Sequence, residues 1–273
     1  MFETQTNRSR FTVFFSVLEV IYHATVFSLR RTHTNAVIGL LLNIVQTMML
    51  VAVFYLMFVV LGLRSSAIRG DFLLYILSGI FMFMANTKTL QAVYKTDGPT
   101  AAMMQHGPMN TLVSIVSAAL GALYTQILSV TVVLTVYSLA FKPVEIYDMS
   151  GTFLMLLLAW FNGAAIGVVF LALKPWFPKF SSIATRLYTR ANMFASGKMF
   201  VANAMPGYVL VMFTWNPLFH IIDQARGFAF INYNPHYSNW LYPLVLSFVL
   251  LFLGLMGESH GRRHASISWN ARG

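Results

Sequence analysis

Cysteine is absent from the 273 residues, so neither disulfide staples nor thiolate metal sites are available, and no redox compartment is selected. Charge is also scarce. Charged residues make up 10% of the chain, against 58% hydrophobic and 15% aromatic, which is too apolar for a water-soluble surface of ordinary size. Segments of ~10 residues with alternating polarity, the mark of a transmembrane β-barrel, do not occur. Nor is there a G-x-x-x-x-G-K-[ST] phosphate loop: "SGKM" at 196–199 has the Gly-Lys but lacks the upstream glycine and the hydroxyl residue. Any ATP and Mg would therefore be bound by a partner, with no cofactor expected on this chain.

What the chain has instead is long apolar runs. A helix needs ~20 mostly apolar residues to cross a hydrocarbon core ~30 Å thick, and lipid leaves backbone groups no partner outside the segment, which selects helices. Windows of that length cover residues 36–62, 72–94, 109–138, 151–173 and 240–257, with a sixth crossing expected between 174 and 239. The expected fold class is an all-α membrane protein. Residues 1–35 would form an interfacial helix, 36–257 a six-helix transmembrane domain and 258–273 a tail. Within the first segment Phe11, Phe14, Phe15, Leu18, Ile21 and Tyr22 recur on one side of a helix that also holds Glu19 and His23, the pattern of a helix lying in the interface. No small-residue cleavage site follows it, so it reads as retained and not as a signal peptide.

The formal net charge is +10, and its distribution matters more than its size. Arg8, Arg10, Arg30 and Arg31 flank the first segment, Lys174 and Lys179 follow the fourth span, and Arg262, Arg263 and Arg272 follow the last, whereas the loop 139–150 carries Glu145 and Asp148 against Lys142 alone. By the positive-inside rule both termini are expected to be cytoplasmic, with an even number of crossings. The basic excess points to topology and anionic lipid, not to nucleic acid.

Between the second and third spans, Gly98-Pro99 and Gly107-Pro108 bracket seven residues, 100–106, most of them good helix formers. A stiff peg over about 95–108 is expected on the cytoplasmic side, carrying Asp97, Gly98, Pro99, His106 and Pro108 and able to couple a soluble partner to the membrane helices. A plain connecting turn is the alternative. In the fourth span, Gly163 and Gly167 have the spacing of close helix packing, and Trp160 and Asn162 lie at the same depth.

Two readings of the sixth crossing compete. Hydropathy favours 199–215. The other takes about 179–200, which places Arg186 and Arg190 on one face inside the membrane and is tenable only beside water. The stretch "FTWNPLFHIIDQARGFAF", residues 213–230, tips the balance. Asn216 before Pro217 is a helix start; His220, Asp223 or Gln224, and Gly227 fall on one side, and Asp223 and Arg226 are spaced to pair. The apolar stretch before it is broken at Pro206-Gly207 and has the length of a re-entrant segment, expected over about 201–232. The second reading is then the better one.

Residues 194–230, "FASGKMFVANAMPGYVLVMFTWNPLFHIIDQARGFAF", resemble the C-terminal signature of ABC-2 type export permeases, especially those of capsule and O-antigen polysaccharide exporters. The matching positions are Ser196-Gly197, Pro206, Asn216-Pro217-Leu218, His220 and Arg226. The usual aromatic pattern before the first span is replaced here by "RRTHTNAVIGLLLNIVQ". The resemblance implies a transport subunit of the bacterial inner membrane and no enzyme: two copies forming a channel, two copies of a cytoplasmic ABC ATPase below, and periplasmic co-polymerase or outer-membrane export proteins as further partners. Candidate channel residues are Arg186, Arg190, Tyr188, Phe194, Trp160 and Asn162, with guanidinium groups suited to phosphate or carboxylate and aromatic faces suited to sugar rings. The rivals are an ABC-2 permease for a lipid, drug or other amphiphile, and an intramembrane enzyme using His220 and Asp223, for which no nucleophile or metal-ligand set is at hand.

Overall fold

The computed structural model describes residue 16 and residues 18–26, 36–60, 71–96 and 111–270. All of the regular structure among them is helical. Residues 18–26 form α1, followed by α2 (Ala36–Val60), α3 (Phe72–Tyr94), α4 (Thr111–Ala140), α5 (Met149–Leu173), α6 (Pro178–Ala195), α7 (Gly207–Leu210), α8 (Pro217–Ala229) and α9 (Leu241–Asn270), with a single 3₁₀ turn at Ala202–Ala204. Five stretches are long and apolar enough to cross a membrane: Ile38–Val60, Phe72–Tyr94, Thr111–Ala140, Met149–Leu173 and Leu241–Gly261. They match the five windows expected from hydropathy to within a few residues at each end. Leu41, Met49, Val53, Leu56, Val245, Phe248 and Phe252 stand outward on α2 and α9, apolar surface suited to lipid and not to water. The expected coupling peg, with Asp97, Gly98, Pro99, His106 and Pro108, lies outside the described residues, as does most of 1–35.

Helix starts follow local chemistry. Asp71 accepts from the Leu73 N–H at 2.9 Å, and Tyr137 near the end of α4 donates to its other carboxylate oxygen, tying the two helix ends together. Asp148 accepts from the Gly151 N–H at 3.0 Å and the Ser150 hydroxyl at 2.6 Å, and these bonds hold its carboxyl below the usual carboxylate range. Pro178 and Pro217 occupy first-turn positions of α6 and α8, where the missing N–H costs nothing.

The core is built on α3 and α5. A Cβ on Gly163 would fall inside the carbonyl oxygen of Asn86, and one on Gly167 would meet the Leu90 carbonyl at 2.9 Å. Four residues separate the contacts on both helices, so α3 and α5 run parallel with their backbones nearly touching. Asn86 donates to Asn162 Oδ1 at 2.9 Å and to the Ala159 carbonyl at 3.2 Å, and Asn162 donates to Ser247 on α9 at 2.8 Å. Gly254 against Val168 and Gly257 against Ala172 keep α9 parallel to α5 as well. In contrast, α4 runs antiparallel to α3, with Gln126 donating to the Phe81 carbonyl and Tyr137 reaching Asp71. Helix α1 leans on α4 through Ser117, which donates to the Ile21 carbonyl at 3.3 Å, while Leu18 and Tyr22 are exposed.

Residues 199–215, the stretch that hydropathy favours as a span, form no continuous helix. The chain there makes the 3₁₀ turn, then one α turn after Pro206, then tight turns to Trp215. Pro206 has no N–H to give and Gly207 adds no helix preference, so apolarity alone does not make a span.

The α3–α5 seam predicts an asymmetric glycine response. Gly163→Val is expected to cost about 1–3 kcal/mol or more by forcing the helices apart, whereas Gly207→Ala, with nothing within 4 Å of its Cβ, should leave the melting temperature in detergent unchanged. Equal effects would contradict the seam.

Candidate functional site at a buried helix

Helix α8 and its cap Asn216 are polar at five positions and yet lie inside the molecule. Asn216, His220, Asp223 and Arg226 are all buried, and Arg226, at 1% exposure, is among the largest fully buried side chains. A buried polar group is tolerable only when its hydrogen bonds are met, and the partners of these residues define the site.

At its start, Asn216 caps α8 by accepting from the Leu218 N–H at 3.0 Å while its amide donates to Asn192 Oδ1 and the Ala195 carbonyl, both at 2.8 Å. One side chain thus pins the first turn of α8 to the last turn of α6. His220 bridges two loops: Nδ1 accepts from the Asn239 N–H at 3.0 Å, which fixes Nε2 as the protonated nitrogen, and Nε2 donates to the Thr214 carbonyl at 2.7 Å. Asp223 accepts from the hydroxyls of Tyr233 and Ser238, and Gln224 donates to the Ser238 carbonyl at 2.9 Å. Gly227 completes this face, because a Cβ there would strike Pro235 at 2.7 Å. The residues that helical spacing places together therefore grip one loop, residues 233–239.

Arg226 departs from the expectation. It makes no ion pair with Asp223, whose oxygens are taken by Tyr233 and Ser238. Instead Nη1 donates to the carbonyls of Gly197 at 3.0 Å and Phe200 at 2.7 Å, Nη2 donates to the Lys198 carbonyl at 2.6 Å, and the guanidinium carbon lies 4.2 Å from the centre of the Tyr75 ring. The physical reason is supply and demand. The turn at 197–200 has left helical geometry, so its carbonyls lack the regular helical partners and only Gly197 keeps a long backbone bond, from the Phe200 N–H at 3.4 Å, and a guanidinium fork matches several acceptors at once. Gly197 carries the turn with φ +76, a conformation that costs glycine nothing.

The other expected residues separate into two groups. Arg186, Arg190 and Phe194 are exposed on one side of α6, with Arg186 donating to the Ser182 hydroxyl at 2.8 Å. Tyr188 faces the other way, its ring edge-on to Phe170 of α5. Asn162 is fully buried between α3, α5 and α9, and Trp160 donates to the Ala119 carbonyl of α4 at 2.7 Å, so both act here in helix packing. Leu241, Tyr242, Val245 and Val249 form an open apolar face at the start of α9, where Tyr242 donates to the Trp215 carbonyl at 2.7 Å. Sequence reading missed Tyr75, Lys198, Tyr233 and Ser238. The signal for Tyr75 was its place with Gly79 and Phe83 on one stripe of α3; the others are partners from distant loops.

No protein-family model matches this chain, and no curated protein matches it. The geometry itself says what the site can do. Both ring nitrogens of His220 are held by backbone and both oxygens of Asp223 by hydroxyls, an arrangement that positions two loops around a helix and leaves no free base aimed at a substrate.

Replacing Arg226 by Met should orphan the Lys198 and Phe200 carbonyls and leave the Gly197 carbonyl only the Phe200 N–H at 3.4 Å, at a cost on the order of 1–3 kcal/mol per orphaned group before relaxation, and Arg226→Lys should recover only part of it, because an ammonium cannot reproduce the fork. Amide exchange at 197–203 reads the effect directly, with faster exchange expected there than in α3.

Proposed function

We propose that the chain is the transmembrane permease subunit of an ATP-driven ABC-2 type exporter that moves a polysaccharide, lipid-linked and of capsule or O-antigen type, across the bacterial inner membrane. The observation that carries the reading is that the residues of the resemblance, scattered over thirty positions in sequence, meet at one junction. Gly197 turns the chain, Arg226 holds that turn, Asn216 joins α8 to α6, Pro206 breaks the segment between them, and His220 fixes the returning loops.

The proposed topology has six crossings. Its support is parity: α5 and α9 run parallel, so the chain must cross back between Leu173 and Leu241, and α6, the longest continuous helix of that interval at ~27 Å (1.5 Å per residue), carries the return to the level of Phe83, from which α8 goes on. A re-entrant reading of 201–232 is supported by depth. Lys198, just past α6, sits against Phe83, ~18 Å along α3 from Asp71. From that level α8 rises until the Tyr147 and Asp148 N–H groups donate to the carbonyls of Ala229 and Phe228, beside the start of α5. With positive residues at both ends of the chain, both termini would be cytoplasmic and the 141–148 loop external.

On this reading Arg186, Arg190 and Phe194 form the wall of a channel shared between two copies of the chain, and ATP hydrolysis belongs to a cytoplasmic ATPase docked on the 95–108 peg and the N-terminal helix. The lining is narrower than the sequence suggested, since Asn162 and Trp160 are occupied in packing. The runner-up is an ABC-2 permease for a lipid, drug or other small amphiphile.

Co-expression of the tagged chain with a cytoplasmic ABC ATPase from the same operon should yield a complex whose ATP hydrolysis is uncoupled by Asp97→Lys and Pro99→Ala; a chain that always purifies alone would sink the exporter reading. Topology has its own test, because the chain has no cysteine to remove. Tyr147→Cys should react with an impermeant maleimide in intact cells and Ser259→Cys only after lysis. In the same cells Arg186→Gln with Arg190→Gln should reduce export of an anionic polymer while leaving thermal stability within about 0.5 kcal/mol, as for exposed positions.

A further inference from the structure

Lys198 is a buried cation that the clamp around α8 leaves unanswered. The residue is 3% exposed, and its ammonium has no hydrogen-bond partner. Its surroundings are two aromatic rings: Phe83 of α3, with the ring centre 3.3 Å away, and Phe54 of α2, at 5.0 Å. Gly197 turns the chain so that Lys198 points between these helices and does not continue the exposed α6 face of Arg190 and Phe194.

A single stripe of α3 organises the cluster. Tyr75, Gly79 and Phe83 follow one another at four-residue steps; Arg226 lies over the first ring and Lys198 over the last. Gly79 makes room for both, since a Cβ there would stand 2.9 Å from Arg226 Nη2 and 3.0 Å from Lys198 Cβ. No carboxylate reaches the ammonium. The nearby ones are engaged elsewhere: Asp223 holds the Tyr233 and Ser238 hydroxyls, and Asp71, a turn before Tyr75, holds the Leu73 N–H and the Tyr137 hydroxyl. Arg226 Nε and the Ser196 hydroxyl are likewise buried without partners. Attraction to an aromatic face recovers less than the dehydration of an ammonium costs, so a methionine or leucine would fill the same space with less penalty. The cluster thus holds three buried donors with no acceptor: Lys198 Nζ, Arg226 Nε and the Ser196 hydroxyl.

We propose that Lys198 binds a phosphate group of the exported molecule, received at the seam between α2 and α3 when the Phe54 ring moves aside. The proposal rests on the export reading and deepens it by giving the cargo an anionic group and a first contact inside the bundle. Phe54 is the α2 residue that covers the ammonium, and α2 is otherwise mostly exposed, joined to its neighbours by few polar links such as Asn43 donating to Ser129 at 2.8 Å.

The test uses the full chain in phosphatidylcholine nanodiscs, with phosphatidic acid as a lipid-borne phosphate in one arm and inorganic phosphate in the other, read by thermal unfolding and by native mass spectrometry. Wild type and Lys198→Arg should be stabilised by the anion, and Lys198→Met should bind it about tenfold more weakly, the scale of one charge-assisted hydrogen bond. Without anion, Lys198→Met should unfold at the same or a higher temperature. Protection by phosphatidic acid alone identifies a lipid-borne group; protection by inorganic phosphate as well identifies a site for the phosphate itself. If neither probe acts through Lys198, or if Lys198→Met is less stable without anion and responds to it like wild type, the cation is a structural wedge and the proposal is overturned. Co-purification with the ATPase does not depend on this result, so the export reading stands or falls separately.

Discussion

Once a chain leaves helical geometry inside a bundle, every carbonyl it exposes must be answered from within, and the Arg226 guanidinium answers three of them at 197–200. The rest of the junction depends on that. With the turn held, α6 can stop at Ala195, Asn216 can close the gap to α8, and the Thr214 and Asn239 ends can be brought to the two nitrogens of His220. Removing water from the site is what makes these bonds decisive: an unmet carbonyl here has no solvent to fall back on, so the fork of an arginine is worth more than its charge.

The junction stands on a different kind of construction. Between α3, α5 and α9 the contacts are dry and backbone-close, made by glycines at 163, 167 and 254 and by one chain of amides and hydroxyls from Asn86 to Ser247. Such packing has one arrangement and resists sliding. By contrast α2 and α6 show much of their surface, and α6 carries its arginines outward. A rigid triad with more loosely held helices at its side suits the proposed role, in which a path must open without unfolding, and it places the candidate moving parts of that proposal on α2 and α6.

How much of this was legible in the sequence depended on whether the signal was local. The five apolar windows, the cap at Asn216 and the close approach at Gly163 and Gly167 are local or periodic, and the sequence around each exposes them. Helix α6 was harder, because two arginines and several hydroxyls dilute its apolar character while 199–215 looks more like a span; Pro206 decided against the latter. Pairing was least legible. Asp223 and Arg226 have the spacing of a salt bridge, but spacing states only who is near, and each found stronger claims elsewhere: hydroxyls for the carboxylate, orphan carbonyls for the guanidinium. Lys198 drew notice only as a fragment of a phosphate loop, because nothing in its neighbourhood of sequence announces Phe54 and Phe83.

The exposed side of α6 is what links the fold to the proposed assembly. Phe180, Ile183, Leu187 and Phe194 lie there beside Arg186 and Arg190, a surface too charged for lipid and too apolar for bulk water. An arginine facing hydrocarbon costs several kcal/mol even on the lower, insertion-based figures of about 2.5–3.5 kcal/mol at mid-membrane. If α6 is the sixth crossing that parity between α5 and α9 demands, its outward face cannot rest against acyl chains along its whole length. Either a second copy of the chain or a water-filled path must cover it, and a channel between two copies supplies both: apolar residues at the contact and guanidinium groups toward the lumen. The same surface that makes α6 an ambiguous span in the sequence is thus the physical argument that supports the proposed channel between two copies.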